Sequence, residues 1–247
     1  MKAFAALFKN ELKLNIRNMN MVIFAVIMPI IVLIILGIIY GTSPALAGSS
    51  YTFMEQSFGA LCTISICAGG LMGLPLVVSD YRERKILKRF KVSPIGPLTL
   101  LSVEFSIYVV YCIASMLTLF PLAMLIWKVR ISGSLPAFLG SWLLTMISTL
   151  SIGMMVGGLA KNSKSASVIA SVLYFPMLIF SGTTLPFEVM PQLMQKIVTF
   201  FPLTQGIQLM KSAFLGIPAG NPSLSIAVML IVTAVSTGIA VKFFKWE

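Results

Sequence analysis

The chain carries little that could do covalent chemistry. It has no histidine among its 247 residues, which removes Cys–His zinc centres, HExxH sites and Ser–His nucleophile pairs together. Its three cysteines, Cys62, Cys67 and Cys112, form no CxxC pair and fall in apolar stretches, where a thiol serves as a small packing group. Neither a GxxxxGK[ST] phosphate loop nor a glycine-rich anion cradle occurs, so any ATP hydrolysis needs a separate chain. Paired carboxylates within an apolar run, and a serine with a plausible base, are also missing, which argues against an intramembrane enzyme.

Two carboxylates stand out by position. Glu104 lies early in the apolar run Pro97–Trp127, and Glu55 opens another such run. A carboxylate inside a bilayer costs on the order of 3 kcal/mol unless it is paired, hydrated or protonated. Glu104 therefore reads either as a coupling or cargo-path residue, or as a shallow group that reaches water or pairs with a loop residue such as Arg82. Glu55 reads as an interfacial residue at the outer mouth, where an acid could also attract cationic cargo.

The densest charge is in Asp80–Pro97, DYRERKILKRFKVSPIGP, with six basic and two acidic residues. Tyr81, Ile86, Leu87 and Phe90 supply apolar anchors within it. The spacing predicts a short helix ending near Ser93-Pro94, because a residue preceding proline disfavours the α region. Two readings stay open: a positive loop that sets topology and meets anionic lipid, or a docking element for a cytoplasmic partner.

These groups must be positioned by a membrane protein. The chain is 58% hydrophobic and only 10% charged, with mean hydropathy +0.99, whereas soluble domains carry about 25% charged residues. Its net charge of +11 is too sparse and too localised at the ends of apolar runs for a nucleic-acid partner. Runs of about 20 apolar residues predict spanning helices, and six occur: Met19–Tyr40, Gln56–Ser79, Pro97–Trp127, Pro136–Ala160, Ser165–Thr184 and Pro222–Val241. The absence of strict alternation excludes a closed barrel. The first run resembles a secretory signal, with Ala45-Leu46-Ala47 behind it, but its length predicts an uncleaved span. Fourteen Lys and Arg fall in Met1–Asn18, Asp80–Gly96, Lys161–Lys164 and Lys242–Glu247, against four in the alternate connections. The positive-inside rule then places both termini in the cytoplasm.

Two further segments do not span. Phe4, Leu7, Phe8 and Leu12 recur at helical spacing while Lys2, Lys9 and Lys13 point elsewhere. Residues 1–18 thus form an amphipathic interfacial helix, which is compatible with a plain basic leader orienting the first span. Leu185–Gly220 is punctuated by Pro186, Pro191, Pro202 and Pro218, yet Val189–Phe200 and Leu203–Leu215 read as apolar helices. So apolar a segment lies in the outer interface or re-enters the membrane, where protein must cover it. Residues 19–247 form one six-span domain, with 80–97 and 185–220 as its two special segments. Gly69-x3-Gly73, with Gly153, Gly157 and Gly158, predicts close helix approach. Pro29, Pro75, Pro121 and Pro176 predict kinks.

Three of these features, in order, resemble the permease subunits of ABC type-2 exporters, the class that includes daunorubicin-resistance, polysaccharide-export and lantibiotic-immunity permeases. They are the interfacial helix before the first span, the Glu83-Arg84 to Ser93-Pro94 stretch after the second, and Met190-Pro191 through Pro202-Leu203-Thr204 to Lys211 before the last. The chain departs from the family pattern at Lys85, where a glycine is usual, at Phe201, where asparagine is common, and at Lys211, where arginine is common. The resemblance implies two six-helix subunits facing each other, identical or homologous. Each would dock an ABC ATP-binding subunit, which holds ATP and magnesium, so this chain itself needs no cofactor. It assigns Tyr81, Glu83, Arg84, Ile86, Leu87, Phe90, Ser93 and Pro94 to a coupling helix. It further implies a prokaryotic plasma membrane and an amphipathic or hydrophobic cargo, whether drug, lipid, peptide or glycan. A stand-alone transporter or channel is the alternative. It fits poorly with spans nearly free of midplane charges and with halves that show no repeat.

Overall fold

A computed structural model describes residues 2–17, 19–45, 49–91, 96–181, 190–218 and 220–244. They fold as helices α1 Lys2–Arg17, α2 Asn20–Tyr40, α3 Phe53–Glu83, α4 Ile86–Lys91, α5 Pro97–Trp127, α6 Leu135–Leu159, α7 Ser163–Phe180, α8 Gln192–Val198, α9 Pro202–Leu215 and α10 Pro222–Phe243. Among the described residues the extended pairing is one isolated bridge, Pro44 with Thr52. Six helices, α2, α3, α5, α6, α7 and α10, are long and apolar enough to cross a membrane. They match the six expected spans to within a few residues. The fifth begins at Ser163, and the far end of its expected range, 182–184, lies outside the described residues.

Helix α3 is the centre of the bundle and packs against α2, α5, α6, α7 and α9. Its burial on nearly all sides follows from an apolar, small-residue sequence with no polar face. A Cβ on Gly153 of α6 would overlap the carbonyl of Gly70 on α3, so these backbones meet where only hydrogen fits. On the other side of α3, Gly73 leaves room for the ring of Tyr108 on α5. These glycines therefore bring helices of the same subunit into close approach.

Proline shapes α2 and α3 through a common device. A π-helical turn, Ile23–Ile27, precedes Pro29, and another, Ala68–Gly73, precedes Pro75. The wider turn takes up the hydrogen-bonding mismatch that a missing N–H creates. Pro121 and Pro176 instead sit inside continuous α-helix.

Helices α2, α7 and α10 turn large apolar side chains outward, including Ile38, Val172 and Leu230. Such a perimeter suits lipid and not water. Helix α9 does the reverse. Leu203, Ile207, Met210 and Phe214 are buried, and the helix packs on α3, α6 and α10. It is covered by protein, as so apolar a segment required.

Candidate functional site

Helix α1, the end of α10 and the connections after α3 and α6 gather at one end of the bundle, here called the basic end for the Lys and Arg of these segments. At that end α3 stops at Glu83. Asp80 Oδ1 accepts from Arg84 Nε at 2.9 Å across the last turn, and Lys85 takes a left-handed backbone, φ 58°. That geometry favours glycine. The turn restarts the chain as α4, with Arg89 N–H donating to Lys85 O at 3.2 Å. Leu87 is 1% exposed, and Ile86 and Phe90 pack partly buried on the chain's own core. The apolar anchors thus hold α4 to its own bundle, while Arg84, Lys85, Lys88 and Arg89 are exposed. Ser93 and Pro94 lie outside the described residues.

Three neighbouring residues tie this segment to other helices. Arg82 is 5% exposed. Its Nη2 donates to Gly158 O at 2.7 Å and its Nη1 to Ala160 O, while its guanidinium stands 5.2 Å from the Phe244 ring centroid. Carbonyls at a helix C-terminus lack intrahelical donors, and a planar cation is well suited to fill them. Arg82 therefore caps α6. Glu83 Oε2 accepts from Ser163 N at 2.9 Å, filling one of the free N–H groups that begin α7. Beside it, Asn162 Oδ1 accepts from Ser165 N at 2.8 Å.

Tyr81 makes the third tie. Its phenol lies 2.8 Å from Glu104 Oε1 on α5 and 3.0 Å from Glu11 Oε2 on α1. Glu104 is fully buried, and its Oε2 has no hydrogen-bond partner among the described residues. Its hydrogen-bond partner is Tyr81, whereas Arg82 donates to Gly158 O and Ala160 O on the other side of the segment's attachments.

Glu11 was not singled out from sequence, although a signal exists. Leu7, Phe8, Glu11, Leu12 and Asn15 share the half-buried stripe of α1, so a carboxylate lies on an otherwise apolar face. Asn15 Nδ2 donates to Glu11 O at 3.1 Å.

Glu55 serves the opposite end. Thr52 N donates to Glu55 Oε2 at 2.8 Å and Glu55 N to Thr52 Oγ1 at 3.2 Å, a reciprocal cap on α3. Its other oxygen accepts from Arg130 N at 3.0 Å. Ser134 N then donates to Ala213 O at 2.8 Å, joining the α5–α6 connection to the end of α9. Beneath this knot pack Phe58, Phe120, Phe138 and Phe214. Each carboxylate oxygen of Glu55 thus accepts from a backbone N–H of the chain itself.

Among the described residues no cluster of three or more His, Cys, Asp or Glu could hold a metal ion. Residues 2–215 match the family model described as "ABC-2 type transporter". The chain belongs to the ABC-2 type transporter family. It is a multi-pass membrane protein, as its six apolar helices require. It is similar to the inner membrane transport permease YhhJ of Escherichia coli (strain K12), 29% identical over 129 residues, which are 52% of this chain and 34% of the relative. It is also similar to nodulation protein J of Rhizobium leguminosarum bv. viciae, 33% identical over 88 residues, or 36% of this chain and 34% of that protein. The matched stretches thus span about a third of the length of these relatives.

Proposed function

We propose that this chain is the membrane permease subunit of an ATP-driven ABC exporter in the cell membrane. It works with a second permease subunit and with separate ABC ATP-binding subunits, which carry ATP and magnesium and do the hydrolysis. Its cargo is amphipathic or hydrophobic, a reading supported by the resemblance to the exporter class alone. The bias of Lys and Arg supports an orientation with both termini and the basic end in the cytoplasm.

One observation carries the reading. The last turn of α3, Tyr81 to Glu83, is braced on α1, α5, the end of α6 and the start of α7 at once, through Glu11, Glu104, Gly158, Ala160 and Ser163, and the α4 that follows is anchored on the same core by Ile86, Leu87 and Phe90. A push on its exposed basic face would pass to all of these helices as one rigid unit. Coupling of an ATPase to spans needs such a lever, whereas a loop that only set topology would need no bracing. Transport itself would follow from rearrangement of the spans, with no chemistry in this chain.

The test is affinity purification of the tagged full chain from its native membrane in mild detergent at low salt, followed by mass spectrometry. A stoichiometric ABC ATPase is the expected companion, and a second permease, if different, would appear with it. Recovery of the chain without any ATPase, after mild crosslinking as well, would overturn the proposal and favour a stand-alone transporter.

A further inference from the structure

A groove of about 560 Å³ runs along the perimeter between α5, α6 and α10. Its walls include Leu98, Ser102 and Phe105 of α5, Met154 of α6, and Thr237 and Phe244 of α10. Leu98, Ser102, Ile147, Thr237 and Val241 are exposed along it, so the groove opens outward where the fold presents its apolar faces to lipid. It meets the couplings described above only at its end, where Phe244 contacts Arg82.

The chemistry of the groove selects its occupant. Four of its five hydroxyls look polar in sequence but are spent on their own helices, and the fifth, Thr237, is exposed on the outer side. Ser102 Oγ donates to Leu98 O at 2.9 Å, Ser106 Oγ to Ser102 O at 2.7 Å, Ser151 Oγ to Ile147 O at 2.8 Å and Thr233 Oγ1 to Met229 O at 2.7 Å. The surface left over is apolar, with nothing to orient a polar molecule. From Leu98 to Ser106, and from Thr233 to Val241, each wall is about 12 Å long at the helical rise. One leaflet of the hydrocarbon core is about 15 Å deep, so the groove matches a single leaflet and not the whole bilayer. It ends at the basic end, where Phe244 lies under Arg82 and against Gly158. There Lys242 is exposed in the last turn of α10, where an extended lysine reaches the headgroup layer.

We propose that this groove holds an acyl chain of a phospholipid from the leaflet at the basic end, with an anionic headgroup at Lys242. This lipid is a resident part of the subunit and is independent of the transport cycle proposed above. The rival occupant is a helix from a second copy of the chain.

The test uses the full chain in vesicles of phosphatidylcholine and phosphatidylglycerol, each supplied in turn with a photoactivatable acyl chain. Crosslinks are expected to concentrate on Leu98–Ser106, Ile147–Met154 and Thr233–Phe244. Crosslinks spread evenly over the exposed faces of α2 and α7 as well would overturn the proposal. So would a groove free of lipid crosslinks in a chain that crosslinks to its own copy there. Thr237→Trp fills the groove and should abolish those crosslinks while helix content and migration on size exclusion stay unchanged; persistence of the same crosslinks would sink the assignment. Lys242→Glu should lower the preference for phosphatidylglycerol about fivefold, the effect of about one basic residue at a membrane surface. An unchanged preference would remove the headgroup from the proposal.

Discussion

The phenol of Tyr81, on the last turns of α3, hydrogen-bonds at 2.8 Å to a carboxylate oxygen of Glu104 inside α5. A phenol has one proton to donate, yet Glu11 of α1 stands 3.0 Å from the same oxygen. The interfacial helix is thus held to the bundle through one hydroxyl that serves two acids. Tyr81→Phe should remove that link and leave Glu104 without its donor. Leaving a buried polar group without its hydrogen bond costs about 1–3 kcal/mol. The expected outcome is a lower midpoint in thermal unfolding and faster amide exchange across Lys2–Arg17. Unchanged exchange in α1 would show that its apolar stripe alone holds it. Tyr81→Phe combined with Glu104→Leu should recover part of the loss, because the acceptor left without a donor goes with the acid.

Arg82 gives a prediction of the opposite kind, since its role depends on shape as much as charge. Two carbonyls at the end of α6 accept from its separate nitrogens, and a lysine cannot span both with a planar fork. Arg82→Lys should therefore lower stability nearly as much as Arg82→Gln, by about 1.5–3 kcal/mol. The check is detergent-solubilised thermal unfolding of both variants. A fully stable Arg82→Lys protein would show that charge suffices.

Lys85 occupies a backbone conformation that disfavours side chains, at φ 58°. The left-handed region costs a non-glycine residue about 1–2 kcal/mol, offset in part by the greater freedom of glycine in the unfolded chain. Lys85→Gly should raise stability by about 0.5–1 kcal/mol. Lys85→Val should lower it, because β-branching makes a positive φ worse. Equal midpoints for the two variants would contradict the assigned turn.

On the opposite end, Glu55 closes the first turn of α3 and also accepts from Arg130 N. Glu55→Ala should cost about 1–2 kcal/mol, the usual loss for a helix cap with an added contact. It should also speed amide exchange at Thr52 and Arg130 together. If only Thr52 exchanges faster, the bond to the α5–α6 connection does not persist in solution.

Much of this architecture was legible in the sequence, and what was not has identifiable causes. The spans follow from length and hydropathy, because lipid demands internally bonded helices. The burial of α9 was legible as a requirement: Leu203, Ile207, Met210 and Phe214 could not face water. The π turns before Pro29 and Pro75 leave no mark in hydropathy. Glu11 escaped because an amphipathic reading sorts residues into faces and passes over a single acid on the apolar one. Its partner lies 70 residues away, a pairing no local pattern encodes. The anchors Ile86, Leu87 and Phe90 were visible as apolar residues in a charged segment. Periodicity reports that such residues need cover, but not whether their own chain or a partner supplies it.

That last distinction yields the sharpest test of the coupling role. Leu87 is 1% exposed against its own core, whereas Arg89 is exposed on the same short helix. Leu87→Ala removes a buried side chain and should cost about 2–5 kcal/mol of stability, so any loss of partner binding would be indirect. Arg89→Glu should leave the unfolding midpoint within about 0.5 kcal/mol, as surface changes generally do. If the exposed basic face of α4 docks the ATPase, that same variant should lose the partner in an affinity purification, and more so at high salt, where surface charge pairs weaken. Retention of the ATPase by Arg89→Glu, with loss confined to the destabilised Leu87→Ala, would move the dock away from α4.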